Sequence, residues 1–275
     1  MRSAVALLIA VPLAGCGMPD TPAPGDAARD GVARQSYAVP GTPLAVSILA
    51  KGDPNGRRVI FVHGTPGSAD GWERFLRDPP RGVRMIAVDR PGFGETTPAT
   101  AAVSLKEQAA AIAPLLAERH GRWPILVGHS LGGPIVAQVA LDNPGKVDSL
   151  LILAGSFDPG LEHIYAVQRL GEWPIVRSVL PTAMRNANLE LMALNPELEA
   201  LAPRLSSLGC RVSVVHGTKD TNVPYANVAF LRSRLPARQL SVTTLEGRNH
   251  FIPWEAQDVV QRTLAGLLAG SGKPC

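Results

Sequence analysis

The chain is 275 residues long, with 45% hydrophobic residues, 18% charged residues and a formal net charge of +4. That is enough apolar material for one sizeable domain. The arginines are scattered, with small groupings only at Arg57-Arg58 and Arg232, Arg234 and Arg238; no basic stripe interleaved with aromatics is present, which argues against nucleic acid as a partner.

Taken in order, the chain opens with Arg2 and an apolar stretch, Ala4 to Pro12, too short to span a bilayer as a mature helix. It ends in Leu13-Ala14-Gly15-Cys16, which resembles the bacterial lipobox. The resemblance implies removal of residues 1–15 as a signal peptide and a diacylglyceryl anchor on Cys16; an ordinary secretory signal with a chance cysteine is the alternative. Gly17, rather than Asp, after the cysteine favours the periplasmic side of the outer membrane in a two-membrane cell. Residues 16–35, rich in Pro, Gly, Ala and Asp, read as a tether. The expected globular domain is 36–275. Of the remaining cysteines, Cys210 and Cys275 either form a disulfide or stay as two thiols.

Ser36 to Lys51 alternates apolar and polar residues and predicts an antiparallel hairpin. Arg58 to Val62 and Val83 to Val88 read as buried strands, with Trp72 to Leu76 helical between them. Ser104 is placed to cap an amphipathic helix running to Arg119. Ile125 to Val127 is a third apolar run; it meets Gly128-His129-Ser130-Leu131-Gly132 and then a helical pattern from Pro134. Val147 to Ala154 predicts another strand. From Gly155 to about Leu208 the alternation stops. Short helices Leu161–Leu170, Ile175–Ala187 and Leu189–Leu201, divided by Pro174, Pro181 and Pro196, suggest a helical cap at about 156–208. Strand, helix, strand and helix then resume over Cys210–Val215, Tyr225–Leu235, Leu240–Leu245 and Trp254–Leu268. Such alternation predicts an α/β fold, a mostly parallel twisted sheet covered by helices on both faces.

The chemistry centres on Ser130. Strand, Gly-x-Ser-x-Gly and helix match a nucleophile elbow, where a sharp turn exposes the serine hydroxyl. A serine needs a base, and the base needs an orienting carboxylate. Asp220 follows the Cys210–Val215 strand and His250 follows the Leu240–Leu245 strand, each where loops build sites in open α/β sheets. With these motifs in the order Ser, Asp, His, the chain over roughly Val59 to Ala269 resembles the α/β-hydrolase superfamily, in its capped esterase, lipase and peroxidase-like branch.

The resemblance implies Ser130 as nucleophile, His250 as general base and then acid, and Asp220 as orienting carboxylate; Asp158, after the preceding strand, is the alternative acid. It implies an oxyanion hole from the backbone N–H groups of Leu131 and Thr65, Pro66 having no N–H to give. His63 is expected to hold its loop, and Asp89 the Pro-Gly loop after it. Trp72, Phe93, Phe157, Tyr165, Trp173, Met184, Met192, Val223 and Phe251 are candidates for lining a pocket for a small or medium apolar substrate. No cofactor or metal is expected, since no dinucleotide or phosphate loop occurs and His120, His163 and His216 lack ligand spacing. The implied activity is hydrolysis of a small-molecule carboxylic ester through an acyl-enzyme, with thioester, lactone or C–C hydrolysis and cofactor-free perhydrolysis or haloperoxidation as alternatives. Epoxide hydrolases and haloalkane dehalogenases of this fold carry Asp where Ser130 stands. A non-catalytic ligand-binding lipoprotein is the reading from a different class.

Overall fold

The computed structural model describes residues 31–164, 166–270 and 273–275. The signal segment, Cys16 and most of the tether lie outside the described residues, as does Tyr165.

The alternating first stretch folds as β1 (Ala33–Ala38) and β2 (Ala45–Gly52), antiparallel with Tyr37 opposite Val46. The apolar runs become β3 (Arg57–Val62), β4 (Val83–Val88), β5 (Ile125–His129), β6 (Ser149–Leu153), β7 (Arg211–Gly217) and β8 (Leu240–Leu245). They join one sheet in the order β1-β2-β4-β3-β5-β6-β7-β8, antiparallel at the first two pairings and parallel from β4 onward. Helices α1 (Glu73–Leu76), α2 (Leu105–Ile112) and α3 (Gly132–Asp142) come from the first half. Between β6 and β7 lie α4 (Ala166–Gly171), α5 (Pro174–Val179) and α6 (Thr182–Leu201). Then follow α7 (Ala226–Arg234), α8 (Ile252–Glu255) and α9 (Gln257–Ala269).

Side chains of a strand alternate between faces, so each strand feeds two cores. Ile60 and Val62 join Leu126, Ile135 and Val136 on one side; Val59 and Phe61 join Trp72, Val260 and Leu264 on the other. Every residue of β5 and β6 is buried, as a central strand covered on both faces requires.

Several boundaries differ from the sequence expectation. β1 starts at Ala33, inside the stretch assigned to the tether, because Arg34 bonds Asp89 at 2.6 Å and Asp70 at 2.7 Å. Ser104 caps α2 as expected, its hydroxyl accepting from Lys106 N–H, but α2 stops at Ile112 rather than Arg119. Pro114 cannot donate to the preceding turn, and a short 3₁₀ segment, Ala113–Leu115, follows. In the cap, the helices expected on either side of Leu189 form one 20-residue helix, α6. Pro181 caps it; Pro196 lies inside it and costs a hydrogen bond, which burial of Leu194, Leu198 and Leu201 in the main core offsets. The expected final helix is two, α8 and α9, divided at Ala256 (φ −134°).

Cys210 and Cys275 form a disulfide across 65 residues. Cys275 N–H also donates to Val147 O at 2.7 Å, fastening the C-terminus beside the starts of β6 and β7. Closing so long a loop restricts the unfolded chain. Cys275→Ser is therefore expected to lower unfolding stability by about 2–4 kcal/mol, read from urea midpoints with and without reductant. An unchanged midpoint would show that the bridge contributes nothing.

Candidate active site

β5 ends at His129, and the chain turns into α3 through Ser130, whose φ of +55° is costly for any residue with a side chain. Ser130 N–H donates to Leu153 O at 3.0 Å and its carbonyl accepts from Gly133 N–H at 2.9 Å. The turn fits because nothing larger than hydrogen stands at Gly128 and Gly132: a Cβ on the first would strike the Gly132 backbone, and one on the second the Val62 carbonyl. A Cβ on Gly64 would strike Ser130 itself, so the loop after β3 lies directly against the half-buried serine.

Asp220 sits in the turn after β7. Its Oδ1 accepts from Asn222 N–H at 2.9 Å and Val223 N–H at 2.8 Å; its Oδ2 accepts from His250 Nδ1 at 2.7 Å. A carboxylate only accepts, so Nδ1 carries the proton and Nε2 of His250 keeps its lone pair. His216 Nε2 lies 3.4 Å from the same Oδ2 but 2.9 Å from Val223 O, which takes the better bond. Burial by itself would push the Asp220 carboxyl up; hydrogen bonds from His216 and His250 outweigh it and hold the group well below the usual carboxylate range.

Among the described residues Ser130 Oγ makes no hydrogen bond. The preceding residue, His129, packs against His250. The His129 and His250 rings lie 4.8 Å apart, and His129 Nε2–H donates to the His250 carbonyl at 3.1 Å, with Trp254 edge-on at 5.4 Å. Burial, with His250 adding to it, lowers the His129 pKa to about 3. His63 is likewise kept neutral by burial and by the Arg90 charge. Its Nδ1 donates to Gly64 O at 2.7 Å and its Nε2 accepts from Arg90 N–H at 3.1 Å, which is the loop-holding role expected of it.

The N–H groups of Leu131 and Thr65 donate to no other group among the described residues. Thr65 Oγ1 is buried without a partner, and the Thr65–Pro66 peptide is cis. Asp158 lies elsewhere in the network: its Oδ1 caps a short turn by accepting from Gly160 N–H at 2.9 Å. Asp89 holds its loop through Ala69 N–H and Glu95 N–H, at 2.7 and 3.2 Å.

Of the residues proposed for pocket lining, Trp72, Phe93, Phe157 and Val223 are buried, whereas Trp173 and Met184 are exposed. The last two are corrections: Trp173, at the cap position before α5, and Met184, in the first turn of α6, face solvent. Sequence reasoning also missed Arg90 and Glu190. Arg90 is fully buried, with Nη1 2.5 Å from Glu190 Oε1 on α6, Nη2 donating to Gly64 O at 2.8 Å and Nε to His63 O at 3.0 Å. One guanidinium thus ties the cap to the loop that carries Thr65. A groove of about 510 Å³ lined by Arg211, Arg238 and Lys273 lies at the opposite, amino end of β7.

Residues 57–174 match a family model described as alpha/beta hydrolase fold. The chain is 32% identical over 136 residues to the dihydrolipoyllysine-residue acetyltransferase component of the acetoin cleaving system of Cupriavidus necator, covering 49% of this chain and 36% of that one. It is 35% identical over 105 residues to a non-heme chloroperoxidase of Streptomyces lividans, covering 38% of each. The matches thus span well under half the length of these curated relatives. Among solved structures, a bacterial membrane phospholipase A superposes with a TM-score of 0.67 at 22% identity, covering 89% of both chains, which is a likeness of fold.

The two buried neutral histidines set a pH dependence. Their folded-state pKa values lie below the usual 6.5, so the unfolded chain takes up protons first as pH falls. Stability is full above about pH 6.5 and drops as pH falls below it, for His129 by about 1.4 kcal/mol per pH unit toward pH 3, with His63 adding in the same direction. His129→Gln keeps an N–H donor but cannot titrate. It is expected to remove one proton's share of the slope in urea midpoints taken between pH 6.5 and 4, and an unaltered slope would contradict the burial argument.

Proposed function

The chain has the α/β-hydrolase fold, and on that scaffold we propose that it is a serine hydrolase cleaving a carboxylic ester of a small or medium apolar substrate through an acyl-enzyme. The observation that carries this reading is the 2.7 Å bond from His250 to Asp220, at the sheet edge where Ser130 leaves β5 in a strained turn. In the proposed first step Ser130 Oγ attacks the ester carbonyl and its proton passes to His250 Nε2. Asp220, ionised well below neutral pH, stabilises the imidazolium. The N–H groups of Leu131 and Thr65 receive the oxyanion. His250 then protonates the departing alcohol, and a water activated by the same nitrogen releases the acid and restores Ser130.

A second reading keeps these residues and lets hydrogen peroxide replace that water, releasing a peracid; the likeness to a chloroperoxidase favours it. We also propose that Cys16 carries a diacylglyceryl group holding the domain at the cell-envelope membrane, on the strength of Leu13-Ala14-Gly15-Cys16.

The test combines a fluorophosphonate probe with a series of p-nitrophenyl esters and thioesters of increasing acyl length. Wild type is expected to label and turn over, and Ser130→Ala to do neither; absence of Ser130-dependent labelling would point to a binding protein instead. Asp220→Asn is expected to lower kcat on the order of 10³–10⁴-fold, with Asp158→Asn near wild type. The opposite pattern would move the acid to Asp158.

A further inference from the structure

Among the described residues six large apolar side chains are exposed, and five of them, Ile164, Trp173, Ile175, Val179 and Met184, fall within one stretch of the cap. Scattered apolar residues on a surface need no explanation, but a concentration does. Ile175 and Val179, 82% and 77% exposed, are four residues apart on α5 and share one side of it; Trp173, 64% exposed, precedes the helix directly. Arg169, Arg177 and Arg185 border this stretch against two acids, Glu162 and Glu172, the latter 3.8 Å from Arg177. An apolar face with an indole at its rim and a basic border is the composition that suits the boundary between lipid headgroups and acyl chains.

We propose that this face of the cap docks on the surface of an anionic lipid bilayer and turns the carboxyl edge of the sheet toward it. The patch exposes on the order of 500 Å² of side chain, short of the roughly 800 Å² per partner that a stable dimer buries, which weighs against a second copy of the chain as occupant. Chain length allows the orientation. The stretch from Cys16 to Gly31 reaches at most about 50 Å when extended, beyond the ~18 Å radius of gyration of a domain this size, so a chain anchored at Cys16 can present the cap to the same membrane. The cap lies at that edge because α6 is pinned by Glu190 to Arg90, just past the end of β4. No described helix is long and apolar enough to cross a membrane, so this is contact with the surface, and it stands whether or not Ser130 is a nucleophile.

The experiment uses the full chain with Cys16→Ser, so that no acyl group contributes, mixed with 3:1 phosphatidylcholine–phosphatidylglycerol vesicles whose phosphatidylcholine carries brominated acyl chains. The expected result is quenching of tryptophan emission that Trp173→Phe removes. Partition should be weakened about tenfold by Ile175→Asp with Val179→Asp, and reduced by salt. Both side chains are exposed, so circular dichroism and thermal midpoint should match wild type; Ile175→Ser provides a milder variant if the aspartates disturb folding. The proposal is overturned if emission from Trp173 is unquenched, including the case where the chain sediments with vesicles through its N-terminal segment alone. It is equally overturned if sedimentation velocity shows that the patch substitutions convert a dimer to a monomer.

Discussion

Two peptide planes approach at the end of β5 more closely than any side chain would allow, and the candidate site follows from that contact. Gly132 packs on the Val62 carbonyl, Gly128 packs on Gly132, and Ser130 between them is forced to φ +55°. The strain is stable because the flanking strands are wholly buried and the Ser130 N–H is held by Leu153 of β6. The same contact brings the loop after β3 onto the serine, which places Thr65 where its amide, like that of Leu131, has no partner among the described residues.

A second layer of order comes from charge. The Asp220 carboxylate is fixed by two backbone N–H groups on one oxygen and by His250 on the other, so it orients the imidazole without rotating freely. His129 then holds the backbone of His250 from below, and its burial keeps it neutral, so no second positive charge competes with an imidazolium at His250. On the far side Arg90 bridges the loop of His63 and Gly64 to Glu190. Breaking such a buried pair from one side would leave a charge without solvent, so the cap is held to a defined place over the sheet edge. Among the described residues the cap stretch from Ile164 to Met184, which includes α5, carries five of the six exposed large apolar side chains.

Much of this was legible in the residues. Strands β3 to β7 are near-continuous apolar runs because parallel central strands are buried on both faces, and that pattern needs no partner to be read. Ser130 and Asp220 stood out because each follows such a run, and His250 because it follows the last strand, Leu240–Leu245; the Asp220–His250 pairing then appears at 2.7 Å. Proline misled twice in opposite ways. Pro114 ended α2 well before Arg119, while Pro196 sits inside α6, because Leu194, Leu198 and Leu201 bury enough surface there to outweigh one missing hydrogen bond.

The amino-acid sequence by itself determined the α/β alternation, the glycine-flanked serine and the order of the acid and base, since these depend on local pattern and short-range sterics. Tertiary structure alone decided the rest: that Arg90 meets Glu190 a hundred residues away, that His129 clamps His250, that Cys210 bonds Cys275, and that Trp173 faces outward. Each of these is a contact between distant segments, and its energy exists only once the sheet has set the distance between them.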